Sequence, residues 1–63
     1  MKTKITILNK LPNNNIINVM TLVFNATRQT SNSFKFDYEA DWEKVYEFLD
    51  LEECKYIEET VHE

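Results

Sequence analysis

Glu39, Glu43 and Glu47 stand four residues apart, the spacing that sets side chains about 6 Å from one another on one face of a helix. That interval resembles the step between phosphates along a nucleic-acid strand, and Asp50, Glu52 and Glu53 extend the negative run. A basic groove built for DNA or RNA can accept such a row in place of phosphates. Glu39, Glu43, Glu47, Asp50, Glu52 and Glu53 are therefore the candidate protein-binding residues, acting by charge complementarity or by mimicry of nucleic acid. The plain alternative is solubility, because charge runs on helices are commonly just solvated. A binding role is favoured by how little of the repulsion Lys44 and Lys55 offset.

The charges are strongly segregated along the chain. All eleven carboxylates lie from Asp37 onward, whereas residues 1–36 carry Lys2, Lys4, Lys10, Arg28 and Lys35 and no acidic group. Those five cations, with the aromatics Phe34, Phe36 and Tyr38, define the alternative of a small nucleic-acid-binding regulator that uses a basic N-terminal sheet. Direct nucleic-acid binding is the weaker reading: the cations are few and dispersed, the net charge is -4, and phosphate binding draws on clustered Lys and Arg.

Catalytic and metal chemistry lack parts. The chain has no glycine for a phosphate-cradling loop, and its paired carboxylates fall on an open helix face, where no burial shifts a general acid into range. Cys54 reads as a small buried hydrophobe, and the one histidine, His62, is eight positions away. Glu59 and His62 have the Glu-x-x-His spacing of carboxylate-bridged metal sites, but those sites need a second such pair and two further glutamates. No catalytic residue, cofactor or metal site is assigned, and no enzyme activity is expected.

A chain of 63 residues has room for one thin core, burying roughly 60% of the surface that its unfolded form exposes. With a single cysteine it can form no internal disulfide. Its hydrophobic fraction of 43% is nonetheless enough for a packed domain. The most apolar stretch, Ile16–Phe24, is less than half of a membrane-spanning helix, so no membrane association is expected. A lone cysteine and no export signal point to the cytoplasm.

The elements that must position these residues follow from periodicity. Lys2–Asn9 alternates as a strand, with Ile5 and Ile7 on one face. Asn9–Asn15, with Pro12 and three asparagines, reads as a turn, and Asn13, Asn14 and Asn15 are the best substitutes for glycine at positive φ. Ile16–Asn25 fits a helical stripe through Ile16, Ile17, Met20, Val23 and Phe24, but its β-branched content and short length favour a second strand. Ala26–Ser33 is polar and reads as a loop. Phe34–Tyr38 alternates as a third strand with Phe34, Phe36 and Tyr38 turned to the core.

From Asp41, a plausible cap, Trp42, Val45, Tyr46 and Leu49 trace a helical stripe. Its frame shifts near Asp50, where Asp50–Glu53 resembles a capping box opening a second helix along Leu51, Cys54, Ile57 and Val61. The expected fold is α+β in one domain over residues 1–63. A basic β region (1–38) forms a three-stranded antiparallel β-β-β sheet, and an acidic helical region (39–61), kinked or split near Asp50, packs on one face. The other face would hold Leu8 and either Ile16, Met20 and Leu22 or the opposite set of that strand, which suggests a homodimer through the open sheet.

The expected function is that of a small non-enzymatic binding or inhibitor protein. Its acidic helix docks on a basic surface of a nucleic-acid-handling protein. The high Asn, Ile and Lys content fits an AT-rich genome and a phage or mobile-element origin, with action in the host cytoplasm. The remaining alternative is a structural subunit that completes a larger assembly.

Overall fold

The computed structural model describes residues 2–37 and 39–62. Along the chain run β1 (Lys2–Ile7), α1 (Asn14–Asn18) continuing directly into a π-helical turn (Val19–Val23), β2 (Thr27–Thr30), β3 (Ser33–Asp37), α2 (Trp42–Leu51) and β4 (Tyr56–Val61). The described strands form one sheet in the order β2-β3-β1-β4, every neighbour antiparallel. The protein is α+β with an antiparallel sheet, but of four strands and with a second helical element. Its β1 and β2 run parallel with β3 between them, as do β3 and β4 with β1 between them, which is the split βαβ arrangement of ferredoxin-like folds.

The segment read as a second strand, Ile16–Asn25, is helical as far as Val23, and the asparagine run explains why. Asn13 is an N-cap: its backbone is extended and its side-chain oxygen accepts a hydrogen bond from the Ile16 amide at 2.9 Å. Asparagine is as strong at this position as in a turn. Once the helix starts, Ile16 and Met20 fall on one side and are fully buried, so burial at helical spacing outweighs the β-branched propensity. The Phe24 amide bonds the Val19 carbonyl at 3.1 Å, one residue wider than an α-helical step. Positive φ occurs at Asn25 (62°) and Glu53 (55°), so Asn13, Asn14 and Asn15 do not form the left-handed turn.

Ala26–Ser33, read as a loop, contains β2 and the turn of the β2-β3 hairpin. Every residue of β2 is exposed, so it carries no hydrophobic alternation to betray it and is held by backbone pairing. Polar contacts close the hairpin: the Arg28 guanidinium donates to the carbonyls of Thr30 and Ser31, and the Thr30 and Ser33 hydroxyls meet at 2.6 Å.

Residues beyond Glu53 form β4 rather than a second helix. The Glu53 amide bonds the Asp50 carbonyl at 3.0 Å and the Cys54 amide bonds Leu49 at 2.9 Å, with Glu53 at positive φ, a Schellman motif that ends α2. Asp50 and Glu53 thus belong to a helix end, not to a new start. The released chain pairs along all of β1, from Lys2 opposite Val61 to Ile7 opposite Tyr56. On the expected apolar line, Cys54 is buried, whereas Leu51 and Ile57 are exposed.

The core lies between one sheet face and the helices. Ile5 and Ile7 from β1, Phe34 and Phe36 from β3, Ile16 and Met20 from the first helix, and Val45 and Leu49 from α2 are all essentially inaccessible. The alternation read for β1 and β3 holds for these residues; Tyr38 lies outside the described residues. The opposite sheet face is mostly polar, with Ile57 exposed on it opposite Thr6. By register it carries Lys2 beside Asp37 and Lys4 between Lys35 and Glu59. Of the apolar residues expected there, Ile16 and Met20 are in the core, Leu22 is exposed on the π-helical turn, and Leu8, just beyond β1, is exposed.

Candidate functional site

The helix that positions the acidic residues is shaped at both ends by its own sequence. Asp41 accepts from the Lys44 amide at 3.4 Å as the N-cap, and Val45 and Leu49 turn one face to the core. Glu43, Glu47 and Asp50, at i, i+4 and i+7, then share the solvent face, and all three are exposed. Among the described residues, none of the three forms an ion pair. The one lysine on the helix, Lys44, lies 4.0 Å from Asp41 instead. Three carboxylates with no ion-pair partner among the described residues thus stand on two turns of one helix.

The remaining expected site residues are distributed differently. Helix α2 begins at Trp42, so Glu39 precedes it by three residues and is not part of a Glu39-Glu43-Glu47 row. Glu39 instead lines a cleft of about 320 Å³ with Asp37 and Asp41, together with Val23, Phe24 and Asn25 from the end of the π-helical turn. Glu52 and Glu53 are tied into the fold. The Glu52 carboxylate accepts from the Asn15 amide at 3.0 Å, and its backbone carbonyl accepts from the Lys10 ammonium. Asn9 clasps the same region, donating to the Glu53 carbonyl and accepting from the Lys55 amide, each at 2.9 Å.

The acidic region expected to be helical throughout is divided by the strand. On β4 alternate residues face opposite ways. Glu58 lies on the helix side, where its carboxylate pushes the Tyr46 phenol up to about 12. Glu59 lies on the open face opposite Lys4. Because His62 follows Val61 at the strand end, an i, i+3 pair in this extended chain does not converge as it would on a helix. Among the described residues, no three carboxylate, imidazole or thiol groups are placed to hold a metal ion.

The five cations of the alternative reading do not form one surface. Lys2, Lys4 and Lys35 share the open sheet face, but Lys2 is paired with Asp37, whose carboxyl it holds below the usual range through a hydrogen bond and its charge. Lys10 is spent on the end of α2 and Arg28 on the hairpin turn. Phe34 and Phe36 point into the core and cannot stack on bases. Among the described residues no helix is long and apolar enough to cross a membrane.

Sequence reasoning missed the apolar surface beside the acidic face. Val23 and Leu51 are largely exposed, and a shallow groove of about 270 Å³ is lined by Lys44, Glu47, Phe48 and Leu51. The signal was Leu51 lying opposite the core stripe of α2. No family model, curated protein or solved structure matches this chain.

Proposed function

We propose that this protein is a small non-enzymatic binding or inhibitor protein whose acidic helix face docks on a basic surface of a nucleic-acid-handling protein, in the manner of a nucleic-acid mimic. A phage or mobile-element product acting in the cytoplasm of its host fits this role. The reading is carried by one observation: Glu43, Glu47 and Asp50 are exposed together on α2 with no cation of the described fold paired to them. Mutual repulsion of these groups is unfavourable in the free protein and is relieved against a cationic partner.

The test is affinity capture from the native cell or its infected host, with the wild-type chain and a Glu43→Lys/Glu47→Lys double variant as baits. Capture of a nucleic-acid-handling protein that the double variant loses, and that high salt releases, is the expected result. A partner retained equally by both baits at all salt concentrations sinks the reading. A gel shift with single- and double-stranded DNA and RNA at low salt addresses direct binding: a shifted band would favour the open sheet face as a regulator's surface instead.

A further inference from the structure

The acidic face has apolar neighbours that charge alone leaves unexplained. Val23 on the π-helical turn and Leu51 on the last turn of α2 are 69% and 74% exposed. Val23 lines one depression and Leu51 another. Phe24 lines the first depression and Phe48 the second, and their rings meet edge to face with centroids 5.9 Å apart. The two depressions therefore share an aromatic wall. Carboxylates stand at both, Glu39 and Asp41 at the first and Glu47 at the second, against Lys44 alone.

We propose that the two depressions form one docking groove for a basic amphipathic segment of the partner protein. An apolar side chain of that segment packs on Phe48 and Leu51, and a Lys or Arg reaches Glu39 and Asp41. This deepens the proposed function and rests on it, adding what kind of contact the partner makes. A uniformly cationic surface would leave Val23 and Leu51 wet, and an uncharged apolar helix would desolvate carboxylates without pairing them. An amphipathic element with apolar anchors and basic flanks satisfies both demands at once. A second copy of this chain is a poorer occupant: Lys2, Lys10 and Arg28 are engaged within the fold, and Lys4 and Lys35 lie side by side on the open sheet face rather than on an amphipathic helix.

The test uses two synthetic Leu/Lys peptides of identical composition and about 14 residues, long enough to form a helix on binding. One is sequenced to segregate Leu and Lys on opposite faces and the other is scrambled. Binding to the full chain is followed by fluorescence anisotropy and by amide shifts of Asn25, Ala40 and Leu51. The segregated peptide should bind more tightly, shift all three amides, and lose about tenfold in affinity with Leu51→Ser, the cost of one lost apolar contact. Scrambled-peptide binding should be unchanged by that variant. Both substituted positions are exposed, so Leu51→Ser and a parallel Val23→Ser should keep the wild-type melting curve. Equal, salt-sensitive binding of both peptides with no effect of Leu51→Ser overturns the groove while leaving the acidic-face reading intact. No binding of either peptide at low salt removes both. Light scattering that shows a wild-type dimer dissociated by Leu51→Ser would assign the groove to a second copy and overturn the proposal.

Discussion

Tyr46 on the flank of α2 faces Glu58 on the edge strand β4, whose carboxylate holds the phenol proton. The same ring stacks nearly parallel on Tyr56, with centroids 6.4 Å apart and planes at 10°. Trp42 and Phe36 continue the row inward at 5.8 and 5.4 Å, so an aromatic series runs from the sheet core to the outer strand. Aromatic pairs at such separations stabilise beyond their buried area. They help hold the helix that displays Glu43, Glu47 and Asp50.

This pairing makes stability sensitive to alkaline pH. Tyr46 is raised from an ordinary 10.0 to about 12, first by the neighbouring Glu58 carboxylate, which favours the protonated phenol, and then by burial. The folded state therefore holds the proton more tightly than the unfolded chain. The stabilisation is complete below pH 10 and is lost as pH rises through 12. Melting temperatures measured between pH 9 and 12 should fall less steeply for Tyr46→Phe than for wild type. Identical slopes would show that Glu58 does not hold the Tyr46 proton in solution.

Cys54 should behave as a core thiol. It is 9% exposed, and burial pushes its thiol up from the usual value, which lowers the reactive thiolate fraction. Reaction with a chromogenic disulfide reagent at pH 8 should be slow in the native protein and become fast in denaturant. Rapid native labelling would mean that the segment between α2 and β4 opens readily.

The asparagine cap is testable by deletion of one side chain. Asn13→Ala removes the acceptor for the Ile16 amide and should lower stability by about 1 kcal/mol, whereas Asn14→Ala, one residue further into the helix, should be nearly neutral. Urea denaturation of the two variants separates them. Equal effects would contradict the placement of the cap at Asn13.

Glu53 occupies the helix-ending position where glycine is usual, at φ 55°, in a chain that has none. Left-handed backbone costs a residue with a Cβ about 1–2 kcal/mol, and part of that is offset by the greater unfolded-state entropy of glycine. Glu53→Gly should thus stabilise the domain by about 0.5–1 kcal/mol in chemical denaturation. Destabilisation would indicate that the Glu53 side chain contributes a contact of its own.

The parts of the fold legible in the sequence are those with strong periodicity. Ile5 and Ile7, Phe34 and Phe36, and the α2 stripe through Val45 and Leu49 are buried on the faces their spacing implies, because pattern and burial agree there. Ile16–Phe24 satisfied both periods, and only packing against the sheet chose the helical one. β2 had no apolar pattern to read, and Tyr56–Val61 was continued as helix because the helix stop at Glu53 is written in a residue that rarely takes that role.

For the acidic residues the division is similar. Composition alone established that every carboxylate lies from Asp37 onward and that no glycine is available for a phosphate loop. Local spacing also placed Glu43 and Glu47 together, since helical neighbours four apart share a face wherever the helix lies. Tertiary structure decided the rest: Glu39 at a cleft, Glu52 and Glu53 bound to the β1-α1 connection, Glu58 and Glu59 on opposite faces of a strand. Those placements depend on contacts between residues distant in the chain, such as Lys10 with Glu52 and Lys4 opposite Glu59, which no local periodicity encodes.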